Sequence, residues 1–297
     1  MNKEIIKGHI FAIICVFIWG TTFVSTKILL QYLTPIEILF IRFSIGFLAL
    51  SAFSVKKLKV TKKSHEIYFM GAGLCGVTLY FLFENIALTY TFASNVAIIL
   101  SVAPFFTAMV STVFLKEEKL SKSFFVGLGF ALVGITIISF NGSTNLELNP
   151  LGDILAIIAA FTWACYCVIT KQISAFGYNT IKTTQKSFFY GLIFMIPAII
   201  VMGFSSPIEI LFRPEIIYNI LFLGLGASAA CFILWNLSLK YIGAVKTSTY
   251  IYASPVVTVI FSYIFLSEPI TKATVIGSLL TITGLVISEY RKAKPSI

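Results

Sequence analysis

Glu84 is the side chain of this sequence with the clearest capacity for chemistry. The chain has 12 acidic residues, and Glu84 lies well inside a long apolar stretch, whereas the others lie at the ends of such stretches or between them. An ionised carboxylate in a hydrocarbon environment is costly unless it is paired or hydrated. We therefore expect Glu84 to have either a specific partner or a function.

Arg42 is the basic residue expected at a similar depth, in the apolar stretch that precedes the one with Glu84. In one interpretation, Glu84 and Arg42 form a fixed ion pair that holds two helices together. In the other, Glu84 faces a cavity, where it binds a cationic group or takes up a proton. The residue types leave both interpretations open.

Two prolines, Pro104 and Pro255, lie near the middle of apolar stretches. Each follows the start of its stretch by eleven residues, which is about 16 Å along a helix. Proline lacks a backbone donor, so the carbonyls of Leu100 and Ile251 lose their helical partners. Such breaks are tolerated where protein or a water-filled cavity satisfies the freed group, and a simple packing kink is the alternative.

Amide and aromatic side chains complete the candidate set. Asparagines inside apolar helices either contact a ligand or form hydrogen bonds across helices. Aromatic residues far from helix ends either surround an organic solute, including a cation, or pack in the core. The predicted binding residues are Trp19, Glu84, Asn85, Asn95, Pro104, Trp163, Tyr166, Asn236, Tyr252 and Pro255. Tyr80 and Tyr250 are further aromatic candidates.

Residue patterns typical of enzymes and metal sites are missing from the sequence. The five cysteines lie in apolar runs without Cys-x-x-Cys spacing, and the two histidines lie at the edges of runs. There is no Gly-x-x-x-x-Gly-Lys-Ser/Thr motif for nucleotide binding. We predict no catalytic residue, no metal and no cofactor, so a polytopic membrane enzyme is the weaker alternative.

The composition indicates an all-α integral membrane protein. Of the 297 residues, 58% are hydrophobic and 11% are charged, whereas a soluble domain carries about 25% charged residues. Apolar runs of about twenty residues match the length of a helix that spans a bilayer core. We predict ten spans, at about 9–30, 36–55, 67–89, 93–115, 123–140, 151–171, 183–204, 215–239, 244–266 and 272–290.

The net charge of +10 reflects membrane topology, and no nucleic-acid partner is expected. With the N-terminus placed inside, 18 of the 22 lysine and arginine residues fall on the inner side. The four on the outer side are Lys27, Arg42, Arg213 and Lys272. Because basic residues accumulate on the cytoplasmic side of membrane proteins, both termini are predicted to be cytoplasmic.

The sequence contains an internal duplication, which is typical of repeat architectures. At an offset of 151 residues, the second half repeats Asn85, Leu88, Tyr90, Ala93, Pro104, Leu115 and Glu117 of the first half. Because each unit has five predicted spans, the second unit enters the membrane from the opposite side, which makes an inverted repeat. The predicted domains are residues 1–142 and 143–297. Glu117 and Glu268 are predicted to cap the helix that follows each of them.

The duplicated pattern resembles that of the EamA family of the drug/metabolite transporter superfamily. The resemblance rests on Trp19-Gly20 and Trp163-Ala164, on Arg42-Phe43, and on the Ala-Leu-x-Tyr-x-x-Ala motif with its later proline and closing glutamate. It covers about residues 9–290 and implies two inverted five-helix repeats in the cell membrane. It also implies a central cavity lined by spans 1, 3, 4, 6, 8 and 9.

The resemblance further implies a secondary transporter that exports a small organic metabolite such as an amino acid. The solute and the lipid bilayer are the predicted partners, protons are a candidate coupling ion, and no oligomeric state is predicted. A channel or a polytopic membrane enzyme is the alternative. Glu84 departs from the uncharged residue expected in most members, so family properties are not carried over to that position.

Overall fold

The computed structural model describes residues 3–54, 58–115, 122–139 and 150–289, and in these ranges the chain forms ten long helices. Their bounds are α1 Lys3–Leu29, α2 Pro35–Phe53, α3 His65–Tyr90, α4 Ala93–Phe114, α5 Lys122–Ser139, α6 Pro150–Ala175, α7 Thr180–Met202, α8 Pro214–Ile242, α9 Ala244–Leu266 and α10 Lys272–Glu289. A short 3₁₀ helix, Ile208–Phe212, precedes α8. Within the described ranges, eight helices are long and apolar enough to span a bilayer. The segment Lys122–Gly134 of α5 is apolar but shorter. The predicted all-α membrane fold is confirmed.

The helix packing follows the inverted repeat. α1 of the first half packs against α8 and α9 of the second, and α6 of the second half packs against α3 and α4 of the first. α2 packs against α7, and α5 packs against α10. Exchanging the two halves converts the α1 contacts into the α6 contacts and leaves the α2–α7 and α5–α10 contacts unchanged. The fold therefore has the pseudo-two-fold symmetry of two inverted five-helix repeats.

Glycine allows α5 and α10 to approach each other closely. A Cβ atom built on Gly134 would lie 2.5 Å from the Gly277 carbonyl oxygen, and a Cβ on Gly284 would collide with the Gly127 carbonyl oxygen. The two contacts are related by the repeat. Small residues at such crossings bring membrane helices together through van der Waals contact.

Helices α4 and α9 are interrupted in front of their prolines. In α4, Ala93–Leu100 and Ala103–Phe114 are separated by a turn at residues 101–102. In α9, a 3₁₀ segment, Thr249–Ala253, separates two α-helical parts. Both prolines lie in the first turn of the second part, where the missing N–H has no helical partner to lose. The predicted paired break is present.

Two further irregularities were not predicted. A π-helical segment, Leu74–Leu79, lies within α3, and a second, Phe222–Ala230, lies at the corresponding place in α8. Both are rich in small residues. Gly76 in α3 packs directly against the Tyr166 ring, leaving no room for a Cβ atom. π-Helical turns within helices are frequent at functional sites.

The predicted role of Glu268 is wrong. Its carboxylate does not cap the following helix, α10, but accepts hydrogen bonds at the start of α4. The donors are Ala93 N at 2.8 Å, Ser94 N at 3.2 Å and Ser94 Oγ at 2.8 Å. The cause is tertiary, because α9 packs against the first part of α4. Glu117, the equivalent residue of the first half, lies outside the described residues.

Candidate solute-binding cavity

A central cavity lies between the two halves of the protein. Its internal volume is about 30 Å³, which is room for a few water molecules at most, so the lining helices would have to move apart to admit an organic solute. In the part of the chain that the structure describes, five helices line it: α1, α3 and α4 from the first half, and α6 and α9 from the second. The lining residues are Val16, Trp19, Thr22, Phe23, Tyr80, Phe81, Glu84, Ala97, Leu100, Ala103, Trp163, Ile251 and Ser254.

The helix breaks of α4 and α9 border this cavity. Leu100 and Ala103 flank the turn in α4, and both line the cavity. Ile251 and Ser254 occupy the corresponding place in α9. The side chains of the two prolines are outside the lining, so the prolines act on the cavity through the backbone they interrupt.

Aromatic residues form one wall of the cavity. The rings of Trp19 and Trp163 meet edge to face at 5.2 Å, and Tyr80 lies 4.7 Å from Trp163. Trp19 is held in place because its Nε1 donates to the Ala227 carbonyl at 3.0 Å. Trp163 Nε1 is buried and has no hydrogen-bond partner among the described residues. This wall can face an organic body or a cation and can offer one further N–H donor.

Glu84 is the acidic residue of the cavity lining. It is 1% exposed and comes from α3, three residues after Phe81. It does not form the fixed ion pair with Arg42, because within the described parts of the chain the one ion pair joins Glu66 to Lys186. Lys27 is not its partner either, since Lys27 Nζ donates to the carbonyls of Leu88, at 3.0 Å, and Thr91.

Arg42 is completely buried next to the aromatic residues of α2 and α3. Its Nε donates to Ser228 Oγ at 3.0 Å. Its Cζ lies 4.3 Å from the Phe81 ring centroid and 5.2 Å from that of Phe43. Its two terminal nitrogens have no hydrogen-bond partner among the described residues.

The predicted asparagines lie outside the lining and join helix segments. Asn85 Nδ2 donates to the Pro35 carbonyl at 3.1 Å, and Asn95 Nδ2 donates to Thr91 Oγ1 at 3.1 Å. Asn236 Oδ1 accepts from the Tyr166 hydroxyl at 2.7 Å, and its Nδ2 donates to Thr184 Oγ1 at 2.9 Å, which links α6, α8 and α7.

Two predicted aromatic residues also lie behind the cavity. Tyr166 packs 5.0 Å from Trp163, and Tyr252 lies 6.4 Å from the Phe105 ring. Of the ten predicted binding residues, the cavity lining therefore contains Trp19, Glu84 and Trp163. These three come from three different helices.

Several lining residues were missed by sequence reasoning. Thr22 and Phe23 follow Trp19 by three and four residues, so helical spacing alone places them on the same face. Small residues such as Ala97 and Ser254 carry no such signal. The resemblance implied that α8 lines the cavity, but its aromatic side chains pack behind the wall, with Trp235 4.9 Å from Trp19. In this structure α8 contributes no lining residue.

Contacts between the halves close the end of the bundle that holds His65, here called the His65 end. Lys186 Nζ lies 2.7 Å from Glu66 Oε1, and the Tyr190 hydroxyl donates to Glu66 Oε2 at 2.8 Å. His65 Nδ1 lies 2.8 Å from the Tyr178 hydroxyl oxygen. The lining residues of α3 and α4 lie instead toward the opposite end, which holds Ala93 and is called the Ala93 end.

A solved crystal structure shares this fold. It matches with a TM-score of 0.68 at 17% sequence identity, over 95% of this chain and 96% of the other. Curated relatives also match along nearly their full length. An uncharacterized transporter of Archaeoglobus fulgidus is 28% identical, over 96% of this chain and 98% of the relative. A probable amino-acid metabolite efflux pump of Escherichia coli is 24% identical, over 96% of this chain and 95% of the relative.

The model of the EamA-like transporter family matches residues 6–140 and again residues 150–290. These two stretches include all ten helices apart from the first residues of α1. The two curated relatives are named as a transporter and as a probable efflux pump. The protein therefore belongs to the EamA-like transporter family, as a multi-pass membrane protein.

Proposed function

We propose that this protein is a secondary transporter that exports a small organic metabolite, such as an amino acid, by alternating access to the central cavity. The observation that carries the proposal is the construction of the cavity from helices of both halves, at the breaks of α4 and α9. Interrupted helices at the interface of inverted repeats are where secondary transporters bind their substrates.

In this proposal, residues 1–142 and 143–297 are the two units that move against each other. The charge distribution favours cytoplasmic termini, so the His65 end would face the cytoplasm. Contacts such as Glu66 with Lys186 hold that end together in this conformation. They would have to separate for solute to enter from the cytoplasm.

The direction and the solute class draw support from a relative. The Escherichia coli protein named a probable amino-acid metabolite efflux pump matches over almost the whole chain. The cavity suits a solute with an apolar body, because tryptophan, tyrosine and phenylalanine side chains make up much of its wall. Glu84 adds an acceptor for a basic nitrogen, and as an intramembrane carboxyl it is also the candidate site for a coupling proton.

Counterflow in proteoliposomes tests the proposal. Vesicles that contain the purified protein are loaded with an unlabelled mixture of amino acids and metabolites and are diluted into a trace of labelled solute. We expect transient accumulation of at least one labelled solute, and we expect Trp163→Ala to reduce it because the variant removes part of the cavity wall. A protein that is folded in the vesicles but gives no counterflow with any component would contradict the proposal.

Direction and topology need separate measurements. Cells that express the protein and are loaded with the solute identified by counterflow should release it faster than cells with the Trp163→Ala variant. An alkaline phosphatase fused to the C-terminus should be inactive, because that reporter works only outside the cytoplasm. A highly active fusion would reverse the proposed orientation.

A further inference from the structure

Arg42 is a buried cation whose hydrogen-bonding capacity is largely unused by the protein. It is 0% exposed, its Nε is bonded to Ser228, and its two terminal nitrogens have no partner among the described residues. A guanidinium stays charged in proteins and presents a planar fork that matches a carboxylate. Leaving such donors buried and unpaired is unfavourable, so the side chain is prepared for an acceptor.

Phe81 connects this guanidinium to the cavity. The Phe81 ring lines the cavity, and its centroid is 4.3 Å from Arg42 Cζ. Glu84 follows Phe81 by three residues on the same helix and also lines the cavity, so the two side chains share one helix face. Arg42 therefore borders the cavity through the Phe81 ring, and Phe81 would have to move for the guanidinium to meet the space that Glu84 lines.

The other charged groups of this region are already engaged at helix ends. Lys27 binds the carbonyls that end α3, and Glu268 binds the amides that begin α4. Glu37 accepts from the backbone N–H groups of Thr34, Ser205 and Ser206. Glu84, whose carboxyl group accepts a hydrogen bond from the Tyr80 hydroxyl within the lining, and Arg42, whose terminal nitrogens have no partner among the described residues, are the two groups of this region that can still bind a ligand.

The opposite charges of Glu84 and Arg42 indicate which class of ligand the site can bind. A simple amine would match Glu84 and leave the buried Arg42 uncompensated, and a simple acid would match Arg42 and leave Glu84 uncompensated. Burying an additional charge that has no counter-charge is strongly unfavourable. A solute that carries one positive and one negative group satisfies both residues and adds no net charge.

We infer that the cavity binds a zwitterionic solute, with its ammonium group at Glu84 and its carboxylate at Arg42 after the Phe81 side chain has moved aside. The inference rests on the proposed function and narrows its solute class. Arg42 is the residue that distinguishes an amino acid from the corresponding amine, and Phe81 controls access to it.

Matched ligands test this assignment on the purified full-length protein. The twenty common amino acids are screened for an increase in melting temperature. Each one that binds is compared, by isothermal titration, with its decarboxylated amine and its deaminated acid. We expect at least one amino acid to bind at least tenfold more tightly than both analogues. If no amino acid binds, or if an amine binds as tightly as its amino acid, the inference is wrong.

Single substitutions test the roles of Arg42 and Glu84 separately. Arg42→Gln should remove the preference for the amino acid over the amine while the amine still binds, and Glu84→Gln should remove the preference over the acid. Lys246→Gln is the control, because it neutralises an exposed helix cation that does not line the cavity. Equal losses for all three ligands in Arg42→Gln would show a structural role only and would overturn the assignment.

Failure of the zwitterion inference can be distinguished from failure of the transport proposal. Counterflow of a solute without a zwitterionic group would support transport and would refute the inference. Phe81→Ala provides a variant that keeps both charged groups, and it should speed association of the amino acid without changing the order of the three ligands. A reversed order in that variant would also refute the inference.

Discussion

Glu268 holds the first turn of α4 to the end of α9, and its removal should destabilise the protein. The carboxylate is 6% exposed and accepts from two backbone amides and one hydroxyl, all of residues 93–94. In Glu268→Ala, the two amides lose their acceptor at a buried helix start. An unsatisfied buried donor costs about 1–3 kcal/mol, and loss of an N-cap costs about 0.5–2 kcal/mol. We expect a loss of about 2–4 kcal/mol in the free energy of unfolding.

The more conservative variant Glu268→Gln should lose about half as much, roughly 1–2 kcal/mol, because one acceptor oxygen is kept and the charge is removed. Its new NH₂ group would face the N–H groups of Ala93 and Ser94, which are also donors. The order wild type, Gln, Ala in stability is therefore expected.

Thermal unfolding of the detergent-purified protein, followed by intrinsic tryptophan fluorescence, measures the effect. At about 2–4 °C per kcal/mol for a chain of this size, Glu268→Ala should lower the melting temperature by roughly 5–15 °C. Glu215→Ala is the control, because Glu215 is an exposed acid in the first turn of its own helix, α8. Such an acid contributes about 0.3–1 kcal/mol. Equal shifts for the two alanine variants would refute the reasoning.

Three further predictions follow from the packing, the cavity and the charge distribution. Gly134→Ala should destabilise the protein by about 1–3 kcal/mol because its Cβ would meet the Gly277 carbonyl oxygen, whereas Gly129→Ala, with open space around it, should leave the melting temperature unchanged or raised. In a cysteine-free background, Thr22→Cys should react with small aqueous thiol reagents and be protected by solute, and Asn85→Cys, 0% exposed and outside the lining, should stay inert. In intact cells, an impermeant amine reagent should fail to label an N-terminal tag until the membrane is permeabilised.

The position of a residue along its helix could be predicted from the sequence, but its orientation around the helix axis could not. Arg42 and Glu84 were placed at similar depths, and both are indeed buried. The two side chains nevertheless form no ion pair with each other. Arg42 instead stacks on Phe81 and donates a hydrogen bond to Ser228 of α8. Which way a side chain points depends on how neighbouring helices pack, and the spacing of residues along one helix contains little of that information.

The same limit explains the candidate binding residues. Trp19 and Trp163 were singled out as mid-span aromatics, and they lie in the cavity wall. The asparagines had the same apolar surroundings in sequence, yet they link helix segments through hydrogen bonds. A polar group in hydrocarbon must find a partner in either case, so the residue type cannot tell a ligand contact from a structural bond.

The helical membrane fold, the inverted repeat and the breaks in α4 and α9 could all be predicted from the sequence. Each follows from a local rule: apolar runs long enough to cross a bilayer, an odd number of spans per repeat, and a proline that lacks a backbone donor. The residues that these helices bring together at the cavity depend instead on how the helices pack. Glu268 caps a helix start 175 residues away in the chain, and five helices from both halves meet at the cavity. Contacts between such distant residues depend on helix rotation and crossing, which no local pattern specifies.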